Sequence, residues 1–125
     1  MYVKSAKDLE VYRLAYAQAM EIFALSKYFP KEEKYSLTDQ ICRASRSVCG
    51  NLREAWAKRK YIAHFASKLT DCDGENAETD TWLDFAKDCG YISNELHGKM
   101  IIRNKKIGQM LGSMINKPET FCKND

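Results

Sequence analysis

Glycine and proline are scarce, six and two in 125 residues, roughly half the usual share. Valine occurs three times, whereas Ala, Leu, Lys, Glu and Met abound. With so few turn formers and β-branched residues, helices are favoured over strands. Long apolar runs are missing as well. The longest stretch without a charge, Ile107 to Asn116, has ten residues, short of the roughly 20 needed to cross a bilayer, so no membrane partner is expected. Met1-Tyr2-Val3-Lys4 leads into charged residues with no apolar signal core, and the expected location is cytoplasmic. Cys42, Cys49, Cys72, Cys89 and Cys122 are odd in number and form no C-x-x-C pair. That spacing argues against a disulfide framework and against a zinc site, and the thiols read as small buried hydrophobes. At 14.4 kDa, a single domain over residues 1–125 is the expectation.

Net charge is only +3, but it is segregated: residues 1–70 carry +6, residues 71–95 carry −7 and residues 96–125 carry +4. Four helical patterns underlie this. Ser5-Ala6-Lys7-Asp8 has capping-box form ahead of Leu9, Tyr12, Tyr16, Ala19, Met20 and Phe23, predicting a first helix over about 7–28 that ends at Phe29-Pro30. Lys31 to Tyr35 reads as a polar connection. Ser36-Leu37-Thr38-Asp39 repeats the capping signal, and Leu37, Ile41, Ala44, Val48, Leu52 and Ala55 follow at steps of three and four, giving a second helix over about 37–58. Gly50 lies within it, so the helix is either closely packed there or locally weakened. A third helix over about 61–90 starts near Tyr61 and runs through Ile62, Phe65, Leu69, Cys72, Asn76, Thr79, Leu83 and Ala86, with a kink conceivable at Gly74. A fourth, over about 94–116, carries Leu96, Met100, Ile101, Ile107, Met110, Leu111, Met114 and Ile115, and residues 117–125 read as a frayed tail. Amphipathic helices joined by short connections make an all-α, antiparallel up-and-down four-helix bundle. Aromatic surface from Tyr12, Tyr16, Trp56, Trp82 and Tyr91 makes self-association a reasonable expectation.

On a helical wheel, Arg43, Arg46, Arg53 and Lys60 of the second helix lie opposite its apolar arc. This stripe is 17 residues long, roughly 25 Å, and continues into the Lys58-Arg59-Lys60 cluster. Its reach suits several phosphates of RNA or DNA. The other readings are a solvated face or a set of intersubunit ion-pair partners. Gln40, Ser47, Asn51 and Glu54 form a polar column at the edge of the core, suited to fixing register against a neighbouring helix. The third helix holds Asp71, Asp73, Glu75, Glu78, Asp80, Asp84 and Asp88 with only Lys87 against them. Asp71, Glu75 and Glu78 share a flank with His64 and Trp82, an acidic strip able to meet the basic stripe within a chain or across an interface. Asp71-Cys72-Asp73-Gly74-Glu75 is not a calcium loop, because its glycine stands fourth where the loop needs it sixth. There is no Glu-x-x-His pair, no phosphate-binding loop and no nucleophile elbow. No catalytic residue, metal ligand or cofactor is therefore assigned and an enzyme is not expected, a metal site from Glu75, Glu78 and His64 being the remaining alternative.

The segment from Ser36 to Ala55, SLTDQICRASRSVCGNLREA, resembles the signature of the bacterial four-helix-bundle proteins encoded in intervening sequences of 23S ribosomal RNA genes. Asp8-Leu9-Glu10-Val11-Tyr12, Phe29-Pro30, Gly74-Glu75, Glu78-Thr79, Trp82-Leu83 and Gly90-Tyr91-Ile92 resemble the family's pattern on either side. Cys42, Cys49, Arg53 and Ala55 depart from it, so the basic charge is moved along the stripe. The resemblance implies a ring-like homo-oligomer, a pentamer, similar to the accessory variability determinant of diversity-generating retroelements. That relative binds nucleic acid and a reverse transcriptase through a basic surface. The reading is a non-enzymatic, oligomeric nucleic-acid-binding protein using Arg43, Arg46, Arg53, Lys58, Arg59 and Lys60. The alternative is a structural or protein-interaction module, for example a reverse-transcriptase accessory protein, whose basic stripe is consumed in an oligomer interface that includes Glu75, Glu78 and Trp82.

Overall fold

The capping box at Ser5 closes, but on less helix than its spacing predicts. In the computed structural model, which describes residues 3–122, Ser5 Oγ accepts from the Lys7 amide at 3.0 Å and Asp8 Oδ2 accepts from the Ser5 amide at 3.1 Å. The box encloses a single 3-10 turn, Ala6–Asp8, after which Leu9 is extended and α1 begins afresh, Glu10–Ser26. The second capping signal is overridden. A 3-10 turn (Lys31–Glu33) and a π-helical turn (Lys34–Thr38) lead directly into α2, Asp39–Ala57. Ser36 is therefore inside a helical turn, and the polar connection from Lys31 to Tyr35 is itself built from these turns. The wider π turn carries Leu37 into the core, where it is 3% exposed, and that burial outweighs a cap worth about 1 kcal/mol.

α3, Ile62–Asp88, is continuous through Gly74 and about 40 Å long. It stops at Gly90, whose φ of +80° suits a residue without Cβ. The Tyr91 amide reaches back to the Ala86 carbonyl at 2.8 Å and the Gly90 amide to that of Lys87 at 2.9 Å, a Schellman closure. α4, Asn94–Asn116, starts under Ser93, whose Oγ accepts from the Leu96 amide at 3.1 Å. Residues 117–122 are not frayed: Pro118–Thr120 forms a 3-10 turn, and Phe121 packs on Trp56 and Phe65 at 6.4 and 6.2 Å between ring centroids.

Among the described residues there are four α-helices and no strand. Each helix packs on the next, and α4 returns to α1. Paired contacts link rising numbers on one helix to falling numbers on its neighbour, Phe23 to Arg46 and Ser26 to Cys42, Asn51 to Lys68 and Trp56 to Phe65, Asn76 to Asn104 and Asp84 to His97, and Glu10 to Lys106 and Glu21 to Lys99, so the helices run antiparallel. No helix among the described residues is long and apolar enough to cross a membrane.

The core has two apolar clusters. One contains Val11, Val48, Leu52, Phe65, Leu69, Ile107 and Leu111, and the other Ile22, Leu37, Ile41, Leu83 and Met100. A buried polar layer, Gln18, Ser45, Asn76, Thr79 and Asn104, surrounds a small interstice between the four helices. Asn76 and Asn104 exchange amide-to-carbonyl hydrogen bonds of 2.9 and 2.8 Å. Gln18 Nε2 donates to the Met100 carbonyl at 2.7 Å and to Asn104 Oδ1 at 3.0 Å, while Gln18 Oε1 accepts from Arg103 at 3.0 Å. Ser45 and Thr79 donate back to Ile41 and Glu75 of their own helices. Fully satisfied layers of this kind specify register. They also correct the expected face of α1. Val11, Ala15, Gln18, Ala19 and Ile22 are buried, whereas Tyr16 and Met20 are 54% and 48% exposed. The helix is turned by about one residue, roughly 100°, because Gln18 finds partners inside and the tyrosine hydroxyl is better solvated outside.

Candidate nucleic-acid interface

The apolar arc of α2 dictates where its arginines go. Ile41, Ala44, Val48, Leu52 and Ala55 are all at most 2% exposed, which leaves Arg43, Arg46 and Arg53 on the outer side, all exposed, followed by exposed Lys58 and Lys60. No carboxylate lies within ion-pair distance of Arg43, Arg46 or Arg53 among the described residues. Arg46 instead stands 5.3 Å over the Phe23 ring of α1, which Lys27 also approaches at 4.7 Å. Asp39, Cys42, Arg43, Arg46, Ser47 and Gly50 line a shallow concavity on this face. Gly50 is not held by close packing, since a Cβ there would meet nothing within 4 Å, and α2 is nonetheless continuous through it. Arg59 is placed differently. Its guanidinium lies 3.8 Å over the Trp56 indole and its Nε donates to the Trp56 carbonyl at 3.0 Å, so it closes the end of the bundle. Trp56 Nε1 is buried without a hydrogen-bond partner among the described residues.

The seam between α2 and α3 has the opposite polarity to the one expected from the charge runs. Lys68 of α3 reaches Glu54 of α2 at 2.8 Å and Asn51 at 2.9 Å, with Asp71 at 3.5 Å on its other side. This pairing holds the Glu54 carboxyl below its usual range and raises the Lys68 ammonium above its own. Of the polar column, Asn51 and Glu54 thus tie α2 to α3, while the half-buried side chains of Gln40 and Ser47 make no hydrogen bond among the described residues.

The acidic strip stands beside the basic stripe without closing on it. Partial burial, and then the charges of Glu78 and Asp71, push the Glu75 carboxyl upward, and Arg43 is near enough to oppose them. Glu78 accepts from Trp82 Nε1 at 3.3 Å one turn on. His64 precedes Glu75 by 11 residues on the same helix, roughly 16 Å, so Glu75, Glu78 and His64 are not assembled as ligands. Among the described residues no group of three or more His, Cys, Asp or Glu is placed to hold a metal. Cys49 and Cys72 are buried, their thiols pushed up to about 11 and about 12 by burial, while Cys89 is exposed.

Sequence periodicity sets Tyr61 and Ile62 at the start of the apolar pattern of the third helix, but both are exposed, beside the basic cluster. Tyr61 is 57% exposed, and its ring lies 5.5 Å from that of exposed His64 and 5.8 Å from Lys60 Nζ. The available signal was a run of three cations, Lys58-Arg59-Lys60, flanked by Trp56 on one side and by Tyr61 and His64 on the other. On the far side of the molecule, α4 spends its charge internally. Arg103 and Lys99 reach Glu21 of α1 at 3.0 and 3.3 Å, and Lys106 reaches Glu10 at 3.5 Å.

The profile described as 23S rRNA-intervening sequence protein matches residues 7–113. A crystal structure of a protein of unknown function from the S23 ribosomal protein family of Bacteroides thetaiotaomicron VPI-5482 is similar, with a TM-score of 0.77 and 29% identity. The match covers 85% of this chain and 95% of that one. No curated protein matches the chain. With most of its length, including the whole of α2, inside the matched region, the chain belongs to the 23S rRNA-intervening sequence protein family.

Proposed function

We propose that this is a non-enzymatic, cytoplasmic, homo-oligomeric protein that binds nucleic acid along α2, with Arg43, Arg46, Arg53, Lys58 and Lys60 facing phosphates. The observation that carries the reading is the exposure of Arg43, Arg46 and Arg53 with no carboxylate of the described residues in ion-pair range. Exposed cations not committed to internal pairs are what counterion release requires. A uniform helical face carries no base-reading device, so the contact is driven by charge and shape. The family takes its name from intervening sequences of 23S rRNA, which makes structured rRNA the first ligand to test. Affinity is expected to fall steeply between about 50 and 200 mM salt. Arg46→Glu combined with Arg53→Glu is expected to abolish binding while the circular dichroism of the helices stays unchanged.

A second reading has one observation in its favour. Glu75, Glu78 and Asp71 form a carboxylate flank whose mutual repulsion is only partly relieved by Arg43, and a second copy's arginines would neutralise it. On that reading the protein is a structural or protein-interaction module. The same double reversal would then change the mass measured by light scattering with no nucleic acid present. A shift in mass without any measurable RNA affinity would replace the first reading with the second.

A further inference from the structure

Between α2 and α3 the chain turns through four residues that bring cations and open aromatic faces together. Tyr61 exposes 57% of its surface, His64 on the next turn is exposed, and the two rings stand 5.5 Å apart, tilted by 52°. Lys60 Nζ sits 5.8 Å from the Tyr61 ring centroid, and exposed Lys58 and Arg53 lie on the preceding turns. Neither ring belongs to the apolar clusters, so packing does not account for them. Glu54, the carboxylate on the adjacent turn of α2, is engaged by Lys68 at 2.8 Å; Lys58 also acts on it, but only after Lys68.

An aromatic face open to solvent and flanked by cations is the arrangement that holds unpaired bases, because every base has a stacking face and its phosphates lie alongside. Bases inside a duplex offer no such face. Resting on the nucleic-acid reading above, we propose that Tyr61 and His64 form a stacking platform for an unpaired nucleobase. Lys58, Lys60 and Arg53 would hold the phosphates on either side. The ligand class is then a single strand, a loop or an end in preference to uninterrupted duplex.

The test is fluorescence anisotropy at low salt with two labelled probes, a 20-nucleotide oligouridine and a blunt RNA duplex of the same length. Wild type, Tyr61→Phe and Tyr61→Ala are compared after circular dichroism has confirmed that each is folded. The wild type should favour oligouridine. Tyr61→Ala should weaken oligouridine binding by about fivefold or more and leave duplex binding and the salt slope unchanged, and Tyr61→Phe should restore the single-strand affinity. Equal binding of oligouridine by Tyr61→Ala and wild type, or an equal loss on both probes, overturns the platform while the phosphate-binding reading stands. Failure of the wild type to bind either probe overturns both. A change of oligomer mass in Tyr61→Ala assigns the patch to contact between copies and likewise overturns the platform.

Discussion

α2 and α4 are both basic helices, yet their cations are employed differently. α4 carries Lys99, Arg103, Lys105 and Lys106, of which Arg103 and Lys99 pair with Glu21, and Lys106 with Glu10. Arg103 also donates to the buried Gln18 side chain at 3.0 Å, making it part of the layer that fixes the bundle's register. α2 carries Arg43, Arg46 and Arg53, and none of them has such a carboxylate among the described residues. The difference lies in the neighbours. α1 turns Glu10 and Glu21 toward α4, and toward α2 it offers the Phe23 ring. Charge on a helix therefore says little about binding until the facing helix is known.

Three measurements sharpen that contrast. The largest effect belongs to the polar layer. Asn104→Ala removes the donor to the Asn76 carbonyl and the acceptor for Gln18 and leaves a void, so it should cost about 2–4 kcal/mol in urea unfolding. Next, Arg103→Ala should cost about 1–3 kcal/mol because buried Gln18 Oε1 loses its donor, whereas Arg53→Ala should stay within about 0.5 kcal/mol. Equal losses from the two arginines would erase the distinction between structural and available charge.

The smallest effect tests the acidic flank. Glu75 is held above its usual value of 4.5 by partial burial and by Glu78 and Asp71. A carboxyl with a raised folded pKa favours the neutral form. Its ionisation thus costs stability at neutral pH, and that cost disappears as pH falls below the unfolded value. Glu75→Gln should accordingly raise the melting temperature slightly at pH 7 and match wild type at about pH 4. A lowered melting temperature at pH 7 would instead mean that arginines of another copy neutralise Glu75 in solution.

Much of the fold could be read from local pattern. The steps of three and four from Leu37 to Ala55 mark residues that are buried, and the placement of Gly90 and Ser93 foretells the end of one helix and the start of the next. The misreadings share a cause, which is that each depended on a partner distant in sequence. Tyr16 and Met20 look more like core than Gln18 does, until Met100, Asn104 and Arg103 supply Gln18 with hydrogen bonds. The Ser36 capping signal yields to Leu37 packing in the cluster with Leu83 and Met100. Phe121 looks like part of a loose end until the Trp56 and Phe65 rings are beside it.

For the candidate site the division is similar. The outward position of Arg43, Arg46 and Arg53 follows from periodicity alone, because burying one arc of a helix exposes the other. Whether those charges remain available does not follow from it. Lys68 of the acidic helix takes up Glu54 of the basic one, and α1 brings its carboxylates to α4. These pairings run from one helix to another, and Coulomb attraction falls with separation in space, whatever the separation along the chain. Local order was therefore enough for the helices and for the face of α2, whereas the packing of one helix against another decided the face of α1 and which arginines stand without a carboxylate among the described residues.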